Sequence, residues 1–371
     1  MNKPYAQFVE RTIRSNPVFL IGSGLSAGAG LATMGQLADY LVRHVRIGSF
    51  SKPEREEWVR IQHRLTVEKR GLEEVLQQSG AAVSGPLLRE IVRQTWRCLS
   101  EDEQKRMPDI ASGVDPTGFG RYFRTLKHSN HAIVHVITTN YDHLIEWSAS
   151  ASGWRVWDGF EEGAIGSPLS AAELNESMTR ISGYGKRRVT THRPHLRIYK
   201  PHGSLSWFKY PDGQIKRLQG AGLQLLPMLA RAGIVPSIVT PGTGKYLETH
   251  RDPYNSVLAE MRSVLDERRP LVIVGFGFND LHIQGSFEAV LRSEGVPKIV
   301  LARQLSDSAK ALIRDRRIRN YIAVQKEGSG SRIVSDAVAS FSAPEPDLWT
   351  FHALLDQAWG AEADAGTSES V

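Results

Sequence analysis

Cysteine occurs once in the 371 residues, at Cys98. A single thiol closes no internal disulfide and builds no Cys-rich zinc site. Around it Leu87, Leu88, Ile91, Val92, Trp96 and Leu99 recur at helical spacing, which predicts a small core residue rather than a catalytic thiol. No run of about 18 uninterrupted apolar residues occurs, so no membrane span is expected. Met1 to Ser15 lacks the apolar block of a secretory signal, and a cytoplasmic location follows. A Walker A loop is also missing: Thr240-Pro241-Gly242-Thr243-Gly244-Lys245 is turn-rich but does not fit G-x-x-x-x-G-K-[ST]. No carboxylate or cysteine joins His192, His195 and His202 at a familiar metal spacing, so neither zinc nor another metal is expected. The net charge of +6 comes from scattered Lys and Arg, with short clusters at Lys186–Arg188 and Arg314–Arg319. A basic balance can favour nucleic acid or an acidic surface. No nucleic-acid motif accompanies it, so a solvated surface is the simpler reading and direct nucleic-acid binding stays open.

What the chain does have is strand alternating with helix. Val18–Ile21, Val134–Ile137, Leu196–Tyr199, Ser237–Val239, Leu271–Val274, Ile299–Leu301 and Tyr321–Val324 are short apolar runs, most with side chains that must be covered on both faces. Helical patterns such as Leu37–Val45 and Ser256–Leu265 lie between them. This alternation predicts an α/β fold with a doubly wound, Rossmann-like parallel sheet. Arg46 to Lys127 holds helical spacing (Trp58, Ile61, Leu65; Leu72, Val75, Leu76) and no strand pattern, which predicts a helical insertion after the first strand. The expected division is 1–45 and 128–340 for the nucleotide-binding domain, 46–127 for the insertion, and 341–371 for a C-terminal helix with a disordered acidic tail. Gly153 to Arg193 reads as a long loop with one short helix near Ser170–Met178.

Four strand ends carry chemistry. Gly22-Ser23-Gly24-Leu25-Ser26-Ala27 follows the first strand and fits G-x-G-x-x-A, where glycine lets the backbone approach a pyrophosphate and the next helix presents free N–H groups. A plain tight turn would look the same. The acidic residue that dehydrogenases place about 20 residues on is absent, because Asp39 sits inside a helical pattern. In Thr138-Thr139-Asn140-Tyr141-Asp142, the Asn side chain can hold a water beside a sugar and the Asp can accept from hydroxyls. Both could equally cap the following helix. In Lys200-Pro201-His202-Gly203-Ser204, His202 can take a proton near neutral pH. Leu271-Val-Ile-Val-Gly275-Phe-Gly277-Phe-Asn279-Asp280 is a second strand and glycine turn, suited to the other half of a dinucleotide fold.

In this order the four blocks resemble the sirtuin family. Gly22–Ser26 is similar to its G-A-G-x-S opening, Thr138–Asp142 to T-Q-N-x-D, and His202-Gly203 to the H-G of its catalytic histidine. Pro241–Lys245 stands in the place of its proline-led loop and Gly275–Asp280 in that of G-T-S. The likeness spans about Asn16 to Gln304, with the helical insertion unmatched. Two features depart from the deacylases: Leu31-Ala-Thr-Met34-Gly replaces P-D-F-R, and the zinc cysteines are missing. The spellings T-T-N-Y-D, K-P-H-G-S-L-S-W and G-F-G-F-N-D resemble the bacterial sirtuin-like subfamily of anti-phage defence proteins. That resemblance implies an NAD glycohydrolase without zinc, with Asn140, His202 and Asp142 as catalytic residues. NAD would lie on Gly22, Ser23, Gly24, Ser26, Thr139, Gly203, Pro241, Gly275, Gly277, Asn279 and Asp280. It also implies a homo-oligomer beside a HerA-type hexameric ATPase, a DNA translocase. A protein deacylase or ADP-ribosyltransferase, and a non-catalytic scaffold that senses NAD or ADP-ribose, are the two alternatives.

Overall fold

The computed structural model describes residues 2–48, 50–79, 83, 85–127, 129, 131–183, 188–240, 252–345 and 347–361, with 281 and 282 as backbone only. In chain order, α1 (Lys3–Arg14) and β1 (Val18–Ile21) lead into α2 (Ser23–Gly28), α3 (Met34–His44), α4 (Lys52–Thr66), α5 (Leu72–Ser79), α6 (Gly85–Ala111) and α7 (Phe119–Leu126). Then come β2 (Ile133–Thr138), α8 (Leu144–Ala151), β3 (Arg155–Trp157), β4 (Ile165–Gly166), α9 (Ala171–Ser177) and a hairpin, β5 (Thr179–Ser182) with β6 (Val189–His192). β7 (His195–Tyr199), β8 (Gly203–Lys209), β9 (Ile215–Leu218), α10 (Leu226–Arg231) and β10 (Val235–Ile238) follow. The last part holds α11 (Tyr254–Asp266), β11 (Leu271–Val274), α12 (Leu281–Arg292), β12 (Lys298–Leu301), α13 (Asp307–Arg314), β13 (Tyr321–Glu327), β14 (Gly330–Ser335), β15 (Phe341–Ala343) and α14 (Phe351–Trp359).

The main sheet runs β15-β14-β13-β12-β11-β1-β2-β7-β3, parallel from β13 to β3, with β14 and β15 antiparallel at one edge. Alternation along β1 explains the layering. Val18 and Leu20 join a core completed by α11, α12 and α13, while Phe19 and Ile21 join the opposite core against α1, α7 and α14. Each large side chain so buried contributes about 1.5–3 kcal/mol relative to exposure. The helix α7 lies inside the stretch read as insertion, yet its Phe119 and Tyr122 pack edge-on against Phe19. The helices α3 to α6 gather a separate core around Leu41, Trp58, Ile61, Leu76 and Ile91. Cys98 belongs to it, and burial first, then the nearby Asp102, pushes its thiol up to about 12, so it is no nucleophile at neutral pH.

Two readings need correction. The run Ser237–Val239 overlaps β10, which is not in the main sheet: it pairs antiparallel with β8 in a four-stranded sheet, β10-β8-β9-β4. Its burial alternates, with Pro236 and Ile238 inward, which is the signature of a half-covered antiparallel strand. The presumed loop at 153–193 also contains β3, β4, β5 and β6, besides the expected helix, which is α9. These strands are two to four residues long and largely exposed, so they leave almost no apolar periodicity. The acidic tail lies outside the described residues from 362 on.

Candidate active site

From β1 the chain steps one way to β2 and then β7, whereas β11, β12 and β13 extend the other way. The direction reverses between β1 and β11. Ligands of open α/β sheets bind outside the carboxyl ends of strands at such a reversal. The turns after β1 and β11 touch there: Gly22 N donates to Val274 O at 3.0 Å and Gly24 N to Gly275 O at 3.0 Å. A Cβ on Gly22 would stand 2.5 Å from Gly275 O, and one on Gly275, at φ 61°, would stand 2.5 Å from Leu25 N. Glycine is therefore required at 22 and 275 by turn-on-turn packing, a reason the sequence reading did not consider. The helix α2 is only six residues long, and the Gly24 and Leu25 N–H groups are already spent on Gly275 O and Gly22 O.

A cavity of about 190 Å³ opens beside these turns, lined by Gly22, Ser23, Ser26, Thr139, Asn140, Asp142, His202, Gly277, Asn279 and Asp280 among others. Ten of the residues singled out from the sequence thus share one wall. Gly24, Gly275 and again Gly277 line a second cavity on the far side of the same turn. Gly203 lines neither. At φ 84°, with a would-be Cβ 2.6 Å from Ser237 O, it serves the close approach of β10 to the histidine turn. Pro241 lies outside the described residues.

Asn140 is buried, and both hydrogens of its amide are engaged: Nδ2 donates to Gly22 O at 3.0 Å and to Ser26 Oγ at 2.8 Å. The carbonyl oxygen is what it can offer to the cavity, an acceptor for a water or a ribose hydroxyl. Ser26 Oγ in turn donates to Asp142 Oδ2 at 2.6 Å, while Asp142 Oδ1 accepts from Leu144 N at the start of α8. Asp142 is thus both a helix-end acceptor and the anchor of the Ser26–Asn140 chain. Burial pushes its carboxyl up, and the Lys200 ammonium and the Ser26 hydrogen bond hold it back. Ser26→Ala is expected to cost about 1–3 kcal/mol, because it strands a buried carboxylate oxygen. A denaturant midpoint unchanged from wild type would contradict that.

His202 Nε2 lies 2.7 Å from Asp280 Oδ2, both side chains being buried at the cavity wall. The last residue of the fourth sequence block therefore meets the histidine of the third. Phe278, just before this pair, holds φ 55°, a backbone region that disfavours bulky residues and clusters at functional sites.

Sequence reasoning missed several groups. Lys200 is buried and pairs with Glu146 Oε1 at 2.6 Å, while its ammonium also donates to Asp142 O. Glu103, far along α6, holds His143 Nδ1 at 2.8 Å, and His143 Nε2 meets Ser204 Oγ at 2.8 Å. The insertion also reaches the cavity through Glu73 and Leu99, beside Met34 and Leu37 of α3. The only signals were a lysine inside the histidine motif and acidic residues on helical patterns, and neither is distinguishable from a solvated face before the fold is known.

The SIR2-like domain family model matches residues 134–321, half of the chain. The chain belongs to that family. A SIR2-like domain implies NAD-dependent chemistry of the sirtuin type in general. Among solved structures, the SIR2-like chain is similar to a sirtuin studied for substrate affinity (11% identity, 86% of this chain and 91% of that one, TM-score 0.37). It is also similar to a Sir2 homologue variant in complex with 2′-O-acetyl ADP ribose (14% identity, 87% and 90%, TM-score 0.40). No curated protein matches it. Among the described residues no group of three or more His, Cys, Asp or Glu side chains is placed to hold a metal ion, and no helix is long and apolar enough to cross a membrane.

Proposed function

We propose that this SIR2-like chain hydrolyses NAD to nicotinamide and ADP-ribose. The observation that carries the reading is the meeting of Asn140, His202 and Asp280 in one cavity at the reversal point of the sheet. The charge pattern supports it. Carboxylates of Asp142, Asp280 and Glu73 line the Asn140 cavity, whereas Arg303, Lys310 and Lys326 line the one beyond the glycine turn. NAD is charged the same way, with a cationic pyridinium at one end and phosphates toward the other.

In this reading the bond between ribose C1′ and the pyridinium nitrogen breaks, and its electron pair goes to the ring, which leaves neutral. No strong acid is needed for that departure. The transition state is oxocarbenium-like, as in glycoside cleavage. The Asn140 carbonyl oxygen accepts from the attacking water, whose oxygen bonds to C1′, and His202 takes its proton. Asp280 orients the imidazole and stabilises the imidazolium that forms, the general role of a carboxylate behind a catalytic histidine. Asp142 fixes Asn140 through Ser26.

The wider role we propose is anti-phage defence by NAD depletion, in the cytoplasm, as a homo-oligomer with a HerA-type translocase. The spellings of the motif blocks and the missing zinc cysteines support it. Residues 1–45 and 128–340 form the NAD-binding unit in this proposal, with 46–127 as the insertion. The test is nicotinamide release from NAD by purified wild-type protein, alone and with the translocase, with an acyl-lysine peptide in a parallel arm. Stoichiometric release without peptide consumption is expected. Release that requires the peptide would make the chain a deacylase, and tight NAD binding with no product under either condition would make it a sensing scaffold.

A further inference from the structure

The second cavity, about 770 Å³, lies at the carboxyl ends of β11, β12 and β13 and shares Phe276 and Gly277 with the first. Among the described residues three cations line it and no carboxylate does. Arg303 follows β12, and Lys326 sits on β13 beside it, since Lys326 N donates to Arg303 O at 3.1 Å. Lys310 enters from α13, whose cap Ser306 donates through Oγ to Gly277 O at 2.5 Å. Asp307 reaches Lys310 at 3.4 Å, but the Asp307 side chain is fully exposed, so that pair is weak and leaves the ammonium available.

The position of Arg303 is informative. β11, α12 and β12 form a βαβ unit whose glycine turn is Gly275–Gly277 and whose second strand ends at Ala302-Arg303-Gln304. In dinucleotide folds the residue at that strand end meets the adenosine ribose: an acid there hydrogen-bonds the 2′-hydroxyl, and an arginine accommodates a 2′-phosphate. Here the strand end is basic, and its neighbours across the cavity are basic as well.

We infer that this cavity accepts a phosphomonoester on the adenosine ribose, so that the chain takes 2′-phosphorylated NAD in preference to NAD itself. The inference rests on the NAD reading above, because it assigns the far end of the same ligand. A guanidinium with two ammonium groups offers charge-assisted hydrogen bonds to a phosphate that a ribose hydroxyl cannot match.

The test uses the wild-type full chain and calorimetric titration with adenosine 2′,5′-bisphosphate, adenosine 3′,5′-bisphosphate and adenosine 5′-monophosphate, beside turnover of NAD and of its 2′-phosphate. The 2′,5′-bisphosphate should bind about tenfold more tightly than the monophosphate. Arg303→Gln and, separately, Lys326→Gln should erase that margin and lower turnover of the 2′-phosphate by more than turnover of NAD. Both side chains are exposed, so a fold defect is not expected, and two variants at different strands guard against one. Equal binding of 2′,5′-bisphosphate and monophosphate by a protein that cleaves NAD would overturn the inference and leave the NAD reading standing. Equal binding of the two bisphosphates would overturn it in favour of a pocket for 3′-phosphorylated nucleotides, including nucleic-acid ends. Absence of NAD turnover together with absence of binding by all three nucleotides would sink the NAD reading first.

Discussion

His202→Ala should lower nicotinamide release from NAD by about 10²–10⁴-fold, the range that a positioned general base supplies. The variant should also lose about 1–3 kcal/mol of stability, because it takes away the partner of the buried Asp280 carboxylate, so release is compared well below its unfolding transition. The imidazole packs at a cavity wall rather than inside either large core, so its removal leaves little packing to lose. Asn140→Ala should lose turnover as well, but for a different reason. It deletes the acceptor for the attacking water and also frees Gly22 O and Ser26 Oγ, so it should carry a measurable stability loss. Asp280→Asn removes the carboxylate charge 2.7 Å from His202 Nε2 and cannot balance a cation, so kcat should fall more than KM changes. If His202→Ala and Asn140→Ala both cleaved NAD at the wild-type rate, the assignment of chemistry to this cavity would be wrong. If both bound NAD normally and neither they nor the wild type released nicotinamide, the scaffold reading would gain.

Why the sheet was legible in the sequence while parts of the site were not comes down to how each is encoded. β1 and β11 are continuous apolar runs because both faces are covered, and such runs stand out before any fold is known. Gly22 and Gly275 stand out too, though for an incomplete reason: sequence reading assigns such glycines to phosphate approach, and the structure adds the contact between two turns about 250 residues apart. The sequence does not reveal which sheet β10 joins, because the three-residue run Ser237–Val239 carries no information about its partner. Glu103 was invisible because α6 is long, about 40 Å at 27 residues. Its first turns build the insertion core, and only its later turns pass the site, where Trp96 Nε1 donates to Leu205 O and Glu103 meets His143. Nothing along the helix marks where one duty ends and the other begins. The pairing of His202 with Asp280 was likewise out of reach, since each residue was named from its own motif and only the sheet order brings the two motifs together.

Lys200→Met should destabilise the protein by about 3–5 kcal/mol, the usual cost of breaking a buried ion pair by removing one partner. Lys200 and Glu146 are both buried, and Glu146 Oε2 already has no hydrogen-bond partner. Burial pushes the Glu146 carboxyl up, and the Lys200 ammonium is the main force holding it down. Without the ammonium the folded protein favours the protonated carboxyl still more strongly. A carboxyl whose folded pKa is raised binds protons better folded than unfolded, so its contribution is most favourable below the ordinary glutamate pKa of about 4.3 and is lost as pH rises through the folded value. The deficit of Lys200→Met should therefore be smallest in acid and grow toward neutral pH, as read from denaturant midpoints of both proteins across that range. A deficit independent of pH would mean that lost packing, not a stranded charge, sets the cost. The pair Lys200→Met with Glu146→Leu removes both charges and should recover most of the stability. It should not recover turnover. The ammonium also donates to the backbone oxygen of Asp142, and Asp142 anchors the hydrogen-bonded chain through Ser26 to Asn140. A stable double variant with low nicotinamide release would show Lys200 to be a positioning residue for the Asn140 loop, whereas a stable and fully active one would confine it to the fold.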